Sequence, residues 1–207
     1  MQQDRLPAPQ GCYLSLEAFL TATTLVALAE IGDKTQLLSF VLAARLRKPW
    51  PIIAGIFVAT LLNHALAGSV GVWLAQLIAP HWLPWITGAV FIAFGLWALH
   101  PDSLDEDPKI HRAGAFVTTT LAFFIAEMGD KTQFATMALA AQFQGALVAV
   151  VMGTTLGMML ANVPAVMVGE RLARRLPLTA IRGIAAAVFI ATGIVAMLGA
   201  SGVSAGQ

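Results

Sequence analysis

The chain has 207 residues, 58% of them hydrophobic and 11% charged, with a mean hydropathy of +0.78. A soluble domain carries about 25% charged residues, so this composition excludes a water-soluble globular domain and describes an integral membrane protein built as one domain. The net charge of +1 argues against nucleic acid as a partner, and the single cysteine, Cys12, excludes an internal disulfide and a thiolate metal cluster.

Residues 1–14 are polar and proline-containing and read as a flexible N-terminal tail. Gln10-Gly11-Cys12 lacks the preceding apolar stretch of a lipoprotein site. Ala27-Leu28-Ala29 has the small-x-small spacing of a signal-peptide cleavage site. The region ahead of it, however, holds Asp4 and one cation, Arg5, so the first apolar run is expected to stay. That run goes from about Leu16 to Ala44, long enough for a tilted transmembrane helix by the ~20-residue criterion. Arg45-Leu46-Arg47-Lys48-Pro49 closes it with cations and a helix breaker. The second run covers about Pro51 to Ala79, and Pro80-His81-Trp82-Leu83-Pro84 is a tight turn. The third, about Trp85 to Leu99, is short, with Trp82 and Trp85 as anchors at one membrane interface. A hydrophilic loop follows from His100 to Arg112, with Asp102, Asp105, Glu106 and Asp107. Such an acidic loop is more often a solvated segment than a cation collector.

The second half repeats the plan, with apolar runs over about Ala115–Ala141, Ala146–Val168 and Leu178–Leu198. Val90-Phe91-Ile92-Ala93-Phe94-Gly95 matches Val188-Phe189-Ile190-Ala191-Thr192-Gly193, and Asn63 matches Asn162. The expected organisation is an all-α integral membrane protein of six transmembrane helices. Residues 15–99 form the first three-helix repeat, 100–114 a cytoplasmic acidic loop and 115–200 the second repeat. Nine of the twelve Lys and Arg follow the first, third and fifth runs: Arg45, Arg47, Lys48, Lys109, Arg112, Arg171, Arg174, Arg175 and Arg182. By the positive-inside rule those connections are cytoplasmic and both termini lie outside. An odd number of helices per repeat then inverts the second half relative to the first, an arrangement common in secondary transporters.

The most polar string inside an apolar run is Glu30-Ile31-Gly32-Asp33-Lys34-Thr35-Gln36. It returns 97 residues on as Glu127-Met128-Gly129-Asp130-Lys131-Thr132-Gln133, with only Ile31/Met128 changed. Charges within a membrane span are costly and mark function by default. In a continuous helix, positions i, i+3 and i+4 share a face. Glu30, Asp33 and Lys34 are therefore expected to form one inward stripe, and Glu127, Asp130 and Lys131 a second. Gly32 and Gly129 would let the two helices approach, or loosen them so that backbone carbonyls turn to the site. Inversion about the midplane would bring the four carboxylates together, and like charges so close cannot all stay ionised in a low dielectric without a counter-ion. Four carboxylates and two lysines leave −2, which one divalent cation neutralises. The further oxygen donors are Gln36, Gln133, Thr35, Thr132, Asn63 and Asn162, with Lys34 and Lys131 as charge partners. An oxygen set suits Ca²⁺, Mg²⁺ or Mn²⁺ over zinc or copper. Competition of metal and proton for the same carboxylates is a direct route to antiport. The bland alternative is that Glu30–Lys34 and Glu127–Lys131 are ion pairs that latch helices, although buried pairs are poor stability devices.

E-I-G-D-K-T and E-M-G-D-K-T resemble the signature E-x-G-D-K/R-T/S of the Gdt family of divalent-cation transporters. That family includes transmembrane protein 165 of the Golgi and bacterial manganese exporters. The resemblance covers essentially the whole chain. It implies export of Mn²⁺, and in some members Ca²⁺, from the cytosol against protons, with Glu30, Asp33, Glu127 and Asp130 as the cation site. It further implies no cofactor and no enzymatic activity, only metal ion and protons as substrates at a bacterial plasma membrane.

Other readings attach to single features. A channel or uniporter could use the same acids as a filter, and an intramembrane aspartyl enzyme could pair Asp33 with Asp130, although the added Glu and Lys do not fit that chemistry. His64 follows Asn63 and could be a ligand or proton carrier, but its counterpart is Val163. Asn63 and Asn162 need buried partners. Pro164 could kink its helix, and Gly153-Thr154-Thr155-Leu156-Gly157 reads as packing within the molecule.

Overall fold

The computed structural model describes residues 10–100, 114–168 and 177–204. The acidic loop from residue 101 onward and the cation cluster Glu170–Arg175 lie outside the described residues. Within them the chain is helical, and no strand occurs.

Each of the two heptapeptides divides a helix. α1 (Gln10–Glu30) ends on the first motif's glutamate and α2 (Lys34–Leu46) starts on its lysine. α5 (Ala115–Glu127) and α6 (Lys131–Gln142) repeat the same break around the second motif. The continuous helical stripe expected from i, i+3, i+4 spacing is therefore corrected. The physical reason is glycine: Gly32 has φ +84 and Gly129 φ +74, a left-handed region that ends a helix and that side chains with a Cβ avoid. Asp33 and Asp130 then take extended backbone as the N-cap residues of α2 and α6. Between the halves of this pattern run α3 (Pro49–Leu77) and α4 (Leu83–Ala98), each with proline in its first turn, where no amide partner is lost. α7 (Leu147–Val168) contains Pro164, and α8 (Leu178–Ser204) closes the chain. α1 begins at Gln10, ahead of the first apolar run.

Among the described residues, four segments are long and apolar enough to cross a membrane: Tyr13–Glu30, Pro49–Leu77, Gln144–Val168 and Thr179–Gly199. Leu83–Ala98 and Ala115–Glu127 are shorter apolar helices. The exposure pattern is inverted relative to a soluble protein. Val148, Ile125 and Leu198 are 64–76% exposed, while Glu30 and Glu127 are 0% exposed. Water would reject that surface, whereas hydrocarbon accepts it and forces the polar groups inward.

Small residues set the helix contacts. A Cβ on Gly153 would stand 2.5 Å from the Phe19 carbonyl oxygen, and one on Gly157 2.7 Å from that of Thr23. The Gly-x-x-x-Gly pattern of α7 thus packs on α1, and the two helices run in the same direction. Gly55 lies on Phe116 and Thr119, while the Asn63 amide donates to the Phe124 carbonyl at 3.1 Å, so α3 and α5 are also parallel. Gly68 on α3 meets Leu147 and Val151 at the start of α7, whereas Ile56 and Ala59 cluster with Val166 near its end. α3 therefore opposes α7, and α1 opposes α5.

The α4–α8 contact is antiparallel. Gly88 meets Gly193, and Gly95 meets Ala186. Under the sequence repeat Gly88 corresponds to Ala186 and Gly95 to Gly193, so each contact is the image of the other. The Phe91 and Phe189 rings, also equivalent positions, touch each other with centroids 6.3 Å apart.

Candidate cation site

The two helix breaks lie together in the interior. Glu30, Asp33, Glu127, Asp130 and Lys131 are buried, and Lys34 is a quarter exposed. Glu30, Asp33 and Asp130 each place a carboxylate oxygen within 4.8 Å of the others. Glu127 stands outside that trio. Its Oε2 lies 3.8 Å from His64 Nε2 on α3.

The lysines reach across rather than along. Lys34 Nζ is 2.8 Å from Asp130 Oδ1, and Lys131 Nζ is paired with Asp33 Oδ1. Each motif's lysine thus neutralises the other motif's aspartate. Breaking the helix makes this possible, because the i,i+4 geometry that would join Glu30 to Lys34 exists only in an unbroken turn. The in-motif latch Glu30–Lys34 is replaced by a reciprocal pair across the interface.

The threonines serve the glutamates. The Thr35 hydroxyl donates to Glu30 Oε2, and Thr132 approaches Glu127 Oε2 at 3.5 Å and donates to Asp130 Oδ2 at 3.2 Å. Glu30 Oε1 and Glu127 Oε1 are buried without a hydrogen-bond partner. Burying a carboxylate oxygen with nothing opposite it is expensive, so these two atoms are the positions from which a cation would recover most.

The glutamines stabilise the breaks. Gln36 Oε1 accepts the Gly32 N–H at 2.9 Å, and Gln133 Oε1 accepts the Gly129 N–H at 2.8 Å. A freed amide inside the membrane must be satisfied internally, and in each half the side chain four residues on does so. Gln36 Nε2 also donates to the Ala161 carbonyl at 3.0 Å, tying the first break to α7.

The asparagines differ. Asn162 Oδ1 accepts from Ser39 at 2.7 Å, and its amide donates to Met158. Asn63 gives its amide to Phe124, while its Oδ1 is buried without a partner. Two contacts had no prominent sequence signal. Ser39 holds Asn162, and Arg182 donates to the Gly32 carbonyl at 3.1 Å. Arg182 sits inside the last apolar run rather than before it, and a cation in that place is the signal that could have marked it. It lines a narrow cleft together with Gly32, Asp33, Ala98 and Lys131.

Comparison with known proteins gives the same outline. The sequence model described as "Divalent cation/proton antiporter GDT1" matches residues 18–106 and 115–204. A protein of Vibrio cholerae serotype O1 named "Putative manganese exporter" is 51% identical over 184 residues, covering 89% of this chain and 91% of its own. A GDT1-like protein of Synechocystis is 28% identical over 78% of this chain and 87% of its own. GDT1-like protein 5 of Arabidopsis thaliana is 27% identical over 88% of this chain and 96% of its own. No solved structure matches the chain.

Proposed function

The chain belongs to the divalent cation/proton antiporter family GDT1 and is a membrane cation transporter, not an enzyme; from that premise we propose that it exports Mn²⁺ from the cytosol in exchange for protons. The observation that carries this reading is the convergence of Glu30 and Asp33 from one motif with Asp130 from the other, their oxygens within 4.8 Å. Lys34 and Lys131 go to the aspartates. The two glutamates then supply the charge of −2 that a divalent ion neutralises. Protons on the same glutamates would replace the ion on the return step, so the site alternates between two loads. The oxygen-rich donor set accepts Mn²⁺ and also Ca²⁺.

The proposed topology is six spans in two inverted repeats, with α1–α2 and α5–α6 as broken helices and α3, α4, α7 and α8 as whole ones. The opposed directions of α1 and α5 and the mirrored Gly88–Gly193 and Gly95–Ala186 contacts support it. Discontinuous helices meeting near the midplane are how transporters place helix ends and freed backbone groups around an ion. We place the protein in a bacterial plasma membrane with both termini outside.

Reconstitution in liposomes tests the proposal. Mn²⁺ uptake against its gradient should follow an imposed pH gradient and stop when that gradient is collapsed. Glu30→Gln and Glu127→Gln should each abolish it. Flux that runs only downhill and ignores the pH gradient would make the protein a channel or uniporter using the same acids.

A further inference from the structure

The two halves of the site are unequal, and the inequality is centred on His64. Its side chain is 0% exposed, and neither ring nitrogen has a hydrogen-bond partner. A buried imidazole without partners forfeits the hydrogen bonds it would make in water. The Nε2–Oε2 separation from Glu127, 3.8 Å, is longer than a hydrogen bond. It falls between the separations expected of adjacent and of opposed ligands of one ion, within reach of a shared ion after a small adjustment. Donors about 2.1 Å from a small divalent ion are roughly 3 Å apart when adjacent and about 4.2 Å apart when opposed.

The neighbouring groups are also open. Asn63 Oδ1, Glu127 Oε1 and the Thr60 hydroxyl, one helical turn before His64, are buried without hydrogen-bond partners. In the other half the equivalent of His64 is Val163, and the equivalent asparagine is closed by Ser39. Thr136 stands where Ser39 stands in the repeat, but its hydroxyl turns to the Thr132 carbonyl at 2.8 Å and leaves Asn63 open. Glu30 Oε1 is also open in the first half, but the open imidazole and the open asparagine oxygen both lie on the Glu127 side.

We propose that His64 is a nitrogen ligand to the transported ion, bound jointly with Glu127, and that it is the residue that makes the protein prefer Mn²⁺ to Ca²⁺. Calcium takes oxygen donors. Mn²⁺ is the weakest of the first-row divalent ions for nitrogen donors, but it accepts an imidazole more readily than Ca²⁺ does, so one nitrogen in an otherwise oxygen site discriminates by donor chemistry rather than by size. The carboxylate trio receives either ion, and the Glu127–His64 station selects. This inference rests on the export reading above.

Pulsed EPR of the Mn²⁺-loaded, purified full-length protein tests it. The wild type should show imidazole ¹⁴N coupling to manganese, changed by growth on ¹⁵N-histidine, absent in His64→Gln and retained in His81→Gln. In competition, His64→Gln should lose about tenfold or more of its Mn²⁺ preference over Ca²⁺, with Ca²⁺ affinity kept. Bound Mn²⁺ without nitrogen coupling in the wild type overturns the role of His64 and leaves the export reading standing. Nitrogen coupling that survives in His64→Gln does the same. A wild-type protein that binds no Mn²⁺ overturns both. The isotope arm needs no mutation, so a misfolded variant does not protect the proposal.

Discussion

Lys131 is the residue on which the interior charge balance turns. It is buried and paired with Asp33, itself buried, from the other motif. Removing one partner of a buried pair leaves an uncompensated charge, at a cost on the order of 3–5 kcal/mol. Lys131→Met should therefore lower the thermal unfolding temperature in detergent sharply, while Lys131→Arg, which keeps the cation, should retain most of it. An unchanged melting temperature for Lys131→Met would show that the pair contributes nothing. At this scale the sequence already marked the acids, because charges in apolar runs stand out. The partners were not legible. Sequence spacing joins Glu30 to Lys34, and the structure joins Lys34 to Asp130, a contact that depends on how two distant segments meet.

The helix break is the device that makes the site, and its glycine is the part most open to test. A Cβ added at Gly129 would meet nothing within 4 Å, so the cost of substitution is backbone alone, from φ +74. Gly129→Ala should cost about 1–2 kcal/mol, and Gly129→Asn less, since asparagine tolerates the left-handed region. Melting temperature and Mn²⁺ transport measured on both variants would check the order. Equal effects would move the cause from backbone to shape. Gly71 is the opposite case. Its Cβ would stand 2.2 Å from the Met137 carbonyl oxygen, backbone that cannot swing away. Gly71→Val should prevent α3 from seating on α6 and reduce the yield of folded protein. The same motif is read at sequence level as an unbroken stripe because 3.6-residue periodicity carries no information about φ. Glycine in the middle was the signal for the break, and glutamine four residues on was the signal for what repairs it.

For the whole molecule, the proposed six spans in two inverted halves would put both termini on the same side. Reporter fusions active only outside the cytosol should be active at the N and C termini and silent after Lys109. The opposite pattern would overturn the orientation drawn from the cations. Sequence alone determined the membrane class, the duplication and the identity of the acidic residues. Composition, a repeated heptapeptide and the cost of charge in lipid are local properties that no packing can alter. Tertiary structure decided that the motif lysines pair crosswise, that Glu127 stands apart from the Glu30–Asp33–Asp130 trio, and that His64 faces it. Those are contacts between helices brought together by glycine-to-carbonyl packing, and an internal repeat predicts equal halves where side-chain packing has made them unequal.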